Sequence, residues 1–261
     1  MSTVLEIKNL SQDFGGLRAL NDLDIKVDKG EIVALIGPNG AGKTTFFNCV
    51  TGIYKPTAGE MLLYGKNGKP VRLNGKKPHE ITALGMARTF QNIRLFGQMT
   101  VLENVMIGRH CRTHAGILGA ILRDSRTRRE EQETIDTSYA LLQLVGLEEM
   151  WNESASNLSY GAQRRLEIAR ALATSPEILL LDEPAAGMNP QETAELEKLV
   201  LKLRDDLGLS ILLIEHDMKM VMSLSGRIYV VEYGACIANG TPAEVRENPR
   251  VIKAYLGASD A

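Results

Sequence analysis

The chain has 261 residues, of which 44% are hydrophobic and 24% charged, and its formal net charge at pH 7 is −2. These values are ordinary for a globular protein with a buried core, in one large domain or two small ones. The near-neutral charge gives no electrostatic footprint for nucleic acid, and no apolar run approaches the roughly 18 residues that predict a membrane-spanning helix.

The strands are predicted from two kinds of apolar pattern. Near the start, VLEIKNL and LDIKV alternate apolar and polar residues, which predicts half-exposed strands that pair antiparallel. Later, EIVALIG, EILLLDEP and SILLIEHD are continuously apolar, as is typical of parallel strands covered on both faces. Each of these three ends in polar residues, at the edge where an open α/β sheet gathers its ligands.

A hairpin and a helical insertion complete the predicted elements. The segments RIYVVEYG and ACIANG flank Gly234 and predict a closing hairpin. Residues from about 92 to 175 are predicted to be mostly helical, and RREEQETIDTSYALLQLVGL is the clearest amphipathic stretch. The sequence therefore predicts an α/β core with a helical insertion near its middle.

The stretch LIGPNGAGKTTFFNC places a glycine-rich turn between a buried strand and a helix. Gly37, Gly42, Lys43 and Thr44 match G-x-x-x-x-G-K-[ST], the P-loop. The glycines let consecutive backbone N–H groups curl around an anion, and the helix start adds unpaired N–H groups. Lys43 would reach the outer phosphates, and the Thr44 hydroxyl would bind Mg²⁺. This context favours nucleotide binding over a plain glycine turn.

Two adjacent acids follow the second of the buried strands. ILLLDEP delivers Asp182 at the strand tip, where a carboxylate can hold Mg²⁺ directly or through water. Glu183 follows at once and is a candidate general base for an attacking water. The alternative is that one of the two acids only caps the loop.

A second capped helix precedes that strand. In NLSYGAQRRLEIARAL, Ser159 is a good N-cap and Gly161 permits close approach, and an apolar helical face follows. A capped helix is usually no more than that, but this one gives the chain a second helix N-terminus suited to an anion.

With these motifs in this order, the sequence resembles the ATP-binding subunits of ATP-binding-cassette (ABC) transporters over essentially its whole length. GPNGAGKTT matches Walker A, Gln91 in ARTFQNIRLF the Q-loop, LSYGAQ the signature motif and ILLLDE Walker B. AAGMNP lies where the D-loop belongs, and His216 in LLIEHDM matches the switch histidine. Phe14 falls at the aromatic position that stacks on adenine.

The resemblance implies a fold and a domain organisation. The fold is an α/β, ABC-type P-loop ATPase with a RecA-like core, an antiparallel β subdomain and a helical subdomain. We expect one ABC ATPase domain over residues 1–261, with the core at 1–91 and 176–261 and the helical subdomain at about 92–175.

It also implies which residues act on ATP and Mg²⁺. Glu183, His216 and Gln91 are the expected catalytic residues, and Thr44, Gln91 and Asp182 the expected metal site. Ser159 and Gly161 would cover the γ-phosphate held by a second subunit. The expected nucleotide-binding residues are Phe14, Gly37, Pro38, Asn39, Gly40, Ala41, Gly42, Lys43, Thr44, Thr45, Ser159, Gly161 and Asn189.

Two motifs depart from the family pattern. The signature usually reads L-S-G-G-Q, whereas here Tyr160 replaces the first glycine and Ala162 the glutamine. Asn189 replaces the D-loop aspartate, which bears on the strength of coupling between subunits. Because Ser159 and Gly161 remain, we expect a competent site.

The detailed match is closest to the larger ATPase subunit of branched-chain amino acid importers. It rests on ARTFQNIRLFGQMTVLENV, LDEPAAGMNP and the tail NGTPAEVRENPRVIKAYLG, and on an insertion at about 108–135. The implied function is ATP hydrolysis that powers import of leucine, isoleucine and valine. A urea or amide importer and a lipopolysaccharide exporter stay as alternatives. DNA-repair relatives would carry long coiled-coil or zinc insertions, which are not seen here.

The implied partners are a second ABC ATPase subunit, identical or different, two membrane permeases and, indirectly, a solute-binding protein. No nucleic acid is expected. Three scattered cysteines indicate a reducing compartment, and MSTVLEIKNLSQDFG lacks the apolar centre of a secretory signal. We expect a peripheral protein on the cytoplasmic face of the plasma (inner) membrane.

Two features of the insertion allow weaker interpretations. His110 and His114 lie four apart, a metal pair if helical, but no third ligand is evident. The apolar stretch at 115–122 is too short to span a bilayer and would pack on the core or contact a membrane partner.

Overall fold

The computed structural model describes residues 2–65, 68–112 and 125–256. They form two compact units, one made of Met1–Arg88 with Glu177–Ala261 and the other of Thr89–Pro176. His114 and the apolar stretch at 115–122 lie outside the described residues, as does the middle of the predicted insertion.

The first unit contains two sheets. Its strands are β1 (Thr3–Phe14), β2 (Leu17–Asp28), β3 (Ile32–Ile36), β4 (Ala58–Tyr64), β5 (Pro70–Arg72), β6 (Met86–Arg88), β7 (Ile178–Asp182), β8 (Ser210–Ile214), β9 (Arg227–Glu232) and β10 (Ala235–Gly240). The orders are β2-β1-β4-β5 in one sheet and β10-β9-β3-β8-β7-β6 in the other.

The larger sheet is parallel except at β10. Strands β3, β7 and β8 are buried along their whole length, because helices and the second sheet cover both faces. The three continuously apolar runs are thus confirmed as buried parallel strands. Strand β8 lies between β3 and β7, so the loops that follow all three strands meet at one edge.

The smaller sheet is antiparallel. Strands β1 and β2 pair with Glu6 opposite Lys26, which confirms the two alternating segments, and β4 adds to the other edge of β1. The hairpin around Gly234 is also confirmed, since β9 and β10 pair antiparallel.

Helices of the first unit fill the space beside the sheets. They are α1 (Lys43–Val50), α2 (Pro78–Ala83), α6 (Pro190–Leu207), α7 (Met218–Leu224), α8 (Pro242–Glu247) and α9 (Pro249–Leu256). In α1, Phe46 and Phe47 are fully buried in one apolar cluster with side chains of both sheets. A second cluster joins the opposite face of the parallel sheet to α7, α8 and α9. This packing fixes α1, and with it the loop before it.

The described part of the second unit is helical apart from its loops, as predicted. It contains α3 (Val101–Arg109), α4 (Ser125–Val145) and α5 (Tyr160–Leu172), with short 3₁₀ turns between them. The amphipathic stretch lies in α4, and Ser159 caps α5 by accepting the Ala162 N–H at 3.3 Å. Across the described ranges, no helix is both long and apolar enough to cross a bilayer.

Candidate active site

The glycine-rich loop lies between β3 and α1. Gly40 and Gly42 have left-handed φ values of 78° and 101°, which glycine adopts at little cost. A Cβ at Gly42 would lie 2.6 Å from the Ala19 carbonyl oxygen, so the loop is also packed too closely there for a side chain. Gly234 donates its N–H to the Ala41 carbonyl at 3.0 Å and ties the loop to the β9–β10 turn.

Lys43 turns its ammonium back into the loop. Its Nζ donates to the carbonyl oxygens of Gly37 at 2.7 Å and Pro38 at 3.0 Å. Burial lowers the pKa of Lys43, whereas the negative charges of Glu183 and Asp182 act in the opposite direction. The cation therefore lies within electrostatic reach of both acids of the neighbouring strand.

The second acid and the histidine form a pair. His216 Nε2 lies 2.9 Å from Glu183 Oε1. Glu183 has a left-handed φ of 47°, and its N–H donates to the Ile214 carbonyl at 2.8 Å. This strained backbone places the carboxylate beside His216, as expected for a histidine that positions Glu183.

The first acid has a partner that the sequence reasoning missed. Asp182 Oδ2 accepts a hydrogen bond from Arg88 Nη2 at 2.6 Å, and both side chains are almost fully buried. Arg88 also donates to Asn48 Oδ1 of α1 at 2.7 Å. Arg88 therefore joins strand β7 to the helix that follows the P-loop.

A cavity of about 490 Å³ lies beside the P-loop and the Glu183–His216 pair. Phe14 stands on its wall and meets Tyr54 edge-on, with ring centroids 5.3 Å apart. The lining residues are Phe14, Leu17, Arg18, Ala19, Asn39, Gly40, Ala41, Gly42, Lys43, Thr44, Thr45, Glu183, His216 and Tyr233. The structure thus brings Phe14, most of the P-loop, Glu183 and His216 to one cavity.

Three predicted site residues belong to the second unit: Gln91, Ser159 and Gly161. There, Arg164 is fully buried and donates to the carbonyl oxygens of Phe90 at 2.6 Å and Gln91 at 2.8 Å. It also pairs with Glu167 at 2.7 Å. These contacts fix the Q-loop backbone to α5, the helix that Ser159 caps.

Asn189 is the N-cap of helix α6 in this structure. Its Oδ1 accepts the N–H groups of Gln191 at 2.9 Å and Glu192 at 3.0 Å, and so it caps α6. It does not line the 490 Å³ cavity. An asparagine is as good a cap as the aspartate that the family usually has there.

Comparisons with known proteins agree with this geometry. A family model described as ABC transporter matches residues 20–186, and one described as branched-chain amino acid ATP-binding cassette transporter matches residues 235–261. The high-affinity branched-chain amino acid transport ATP-binding protein LivG of Escherichia coli K12 is 51% identical over 254 residues, covering 97% of this chain and 98% of LivG.

Solved structures give the same result. An ATP-binding cassette of an ABC transporter in its ADP conformation has a TM-score of 0.84 and 32% identity, covering 98% of this chain and 100% of that one. A dimeric cassette in a post-hydrolysis state, bound to ADP and Pi, has a TM-score of 0.74 and 26% identity, covering 91% and 98%. The chain belongs to the ABC transporter family, among its branched-chain amino acid transport ATP-binding proteins.

Proposed function

We propose that the chain binds ATP with Mg²⁺ and hydrolyses it to power an importer of branched-chain amino acids. The observation that carries this proposal is the cavity that unites the P-loop, an aromatic wall at Phe14 and the Glu183–His216 pair. Family membership supports the coupling of this hydrolysis to transport.

The P-loop holds the phosphates. Residues 39–45 line the cavity and include the N-terminus of α1, and a helix N-terminus favours negative charge. Lys43 exchanges its two carbonyl partners for the β- and γ-phosphate oxygens. Phe14 stacks on the adenine.

The residues present fit a magnesium ion. Thr44 offers a hydroxyl and Asp182 a carboxylate, which are the hard oxygen donors that Mg²⁺ prefers. Within the described ranges no three His, Cys, Asp or Glu side chains could hold a metal by themselves. Phosphate oxygens and water would supply the remaining ligands, as is usual for Mg²⁺ in nucleotide sites. The family resemblance adds Gln91 as a further residue that would hold the ion. When bound, Mg²⁺ neutralises charge on the phosphates.

Glu183 acts on the water. Its carboxylate accepts a proton as the water oxygen attacks the γ-phosphorus, and the bond to the ADP oxygen breaks. His216, 2.9 Å from Glu183, orients that carboxylate and contacts the γ-phosphate. The products are ADP and inorganic phosphate.

Two subunits complete each site. Ser159 and Gly161 of one subunit cover the γ-phosphate that the other subunit holds, in a closed head-to-tail dimer, and the family resemblance adds Asn189 to the nucleotide-binding residues. A dimeric solved cassette with the same fold supports this assembly. The dimer would sit on the cytoplasmic face of the membrane, beneath two permeases that receive solute from a binding protein.

Transport is tested by reconstitution. The chain is co-purified with two candidate permeases and a candidate solute-binding protein and placed in liposomes containing ATP. We expect uptake of labelled leucine, isoleucine and valine that stops without ATP. Uptake of urea or acetamide instead would show that the chain powers an amide importer. If neither class of solute is taken up, the proposed import function is contradicted.

The permease contact is expected on the segment after Gln91. Leu95 is only half-buried and Phe96 is 49% exposed, so neither belongs to the core. Because a partly exposed apolar pair is typical of a docking surface, Leu95→Asp or Phe96→Asp should abolish co-purification with the permeases and shift the Tm by only a few degrees.

The control is Tyr139→Asp on α4, which alters another partly exposed aromatic (38%) of the same unit and should keep co-purification. A large drop in Tm for both Leu95→Asp and Phe96→Asp, or intact co-purification, would contradict the docking surface.

A further inference from the structure

A buried carboxylate lies directly behind the Glu183–His216 pair. Glu215 follows the last residue of β8 and is only 4% exposed. Its Oε1 accepts the N–H of Ala185 at 2.7 Å, and its Oε2 accepts the N–H of His216 at 3.0 Å. The two oxygens of one side chain therefore bind two different loops.

Those loops carry the reacting groups. One follows β7 and contains Glu183 and Ala185, and the other follows β8 and contains His216. The strands pair with Asp182 opposite Ile214, and the Glu183 N–H donates to the Ile214 carbonyl at 2.8 Å. Beyond this backbone hydrogen bond, two further contacts join the loops. The first is the Glu215 carboxylate, which accepts the Ala185 N–H, and the second is the contact between the Glu183 and His216 side chains.

Burying this carboxylate is costly. Burial raises the pKa of Glu215, and the negative charge of Glu183 raises it further, while N–H groups of Ala185, His216 and Asp217 oppose the rise. An apolar side chain would avoid the cost of burying a polar group. What the carboxylate adds is two acceptors at fixed separation, one for each loop.

We propose that Glu215 is a positioning residue for ATP hydrolysis. It joins the loop of Glu183 to the loop of His216 and so maintains the 2.9 Å contact between their side chains. The inference rests on the proposed function, because it assigns Glu215 no contact with ATP and lets it act only through His216 and Glu183.

The test is Glu215→Gln in the full chain. The amide keeps the size of the side chain but turns an N–H₂ donor toward one of the backbone N–H groups, so one connection is lost. Since small misplacements of reacting groups cost up to about 10²-fold, we expect kcat to fall by about 10- to 100-fold. The Kd for ATP, measured by titration calorimetry, should stay within about twofold because the P-loop is untouched.

The matched control is Glu244→Gln. Glu244 also accepts a backbone N–H, from Thr241 at 2.7 Å, but it does so in the cap of α8. This variant should lower the Tm and keep the wild-type kcat. If Glu215→Gln does not fold, Glu215→Asp takes its place, because it keeps the charge and shortens the side chain by one methylene group. The same fall in kcat and the same unchanged Kd for ATP are expected of it.

A double-mutant cycle separates positioning from a general loss of stability. In the His216→Ala background, Glu215→Gln should reduce the remaining rate less than about twofold, since the Glu183–His216 contact that Glu215 maintains is already gone. The same 10- to 100-fold fall in both backgrounds, or a wild-type kcat in the single variant, would overturn the inference. Wild-type turnover by both His216→Ala and Glu183→Gln would instead refute the roles proposed for those two residues, and an absence of ATP turnover in the wild-type chain would refute the proposed hydrolysis.

Discussion

Glu183→Gln should bind ATP as tightly as the wild type and hydrolyse almost none of it. The amide keeps the shape of the side chain and removes the base, a contribution of about 10²–10⁴-fold to the rate. Because ATP then persists between the subunits, the variant should remain a dimer. Size-exclusion chromatography with and without ATP measures this shift, and a phosphate-release assay measures the rate.

The control for that variant is Glu232→Gln at the end of β9, which removes a nearby carboxylate outside the 490 Å³ cavity. It should keep wild-type turnover and show no ATP-dependent dimer beyond that of the wild type. If Glu183→Gln hydrolysed ATP at the wild-type rate, Glu183 would be a bystander and another group would have to activate the water.

Lys43→Ala should lose tight ATP binding. The variant removes the buried cation that faces the outer phosphates, and charge-assisted hydrogen bonds of this kind contribute about 1.5–3 kcal/mol each. We expect the Kd for ATP to rise by at least about 10-fold and turnover to disappear at ATP concentrations that saturate the wild type. Titration calorimetry gives the first quantity and phosphate release the second.

Lys198→Ala, on the exposed face of α6, is the matched control and should leave the Kd for ATP unchanged. Circular dichroism establishes that both variants are folded. Unchanged ATP hydrolysis in Lys43→Ala would show that the P-loop sequence is present here without its function.

Most of the fold was predictable because its strands carry strong patterns. Strands β3, β7 and β8 are buried at every position and apolar except at Asp182 and Ser210, and runs of this short length favour strands over helices. Strands β5 and β6 have three residues each and were missed, because so short a segment has no period to detect. They are held by pairing with longer strands, which is a tertiary effect.

The site was predictable where a motif or the family resemblance assigns a position. Most of the P-loop, Phe14, Glu183 and His216 were found in this way, and they line one cavity. The ion pair between Arg88 and Asp182 joins residues 94 positions apart, and no local pattern reports such a distance. The sequence did hold one unused signal, the Glu215 of LLIEHD, because a charge beside a fully buried strand calls for a partner.

The left-handed backbone at Glu183 lowers the stability of the fold, whereas the proposed activity requires the carboxylate at that position. That conformation costs a residue with a side chain about 1–2 kcal/mol and costs glycine almost nothing. A screen of this chain for heat resistance alone would therefore enrich glycine at position 183 and discard the carboxylate. Engineering a more durable form of the protein requires that this one residue be held constant.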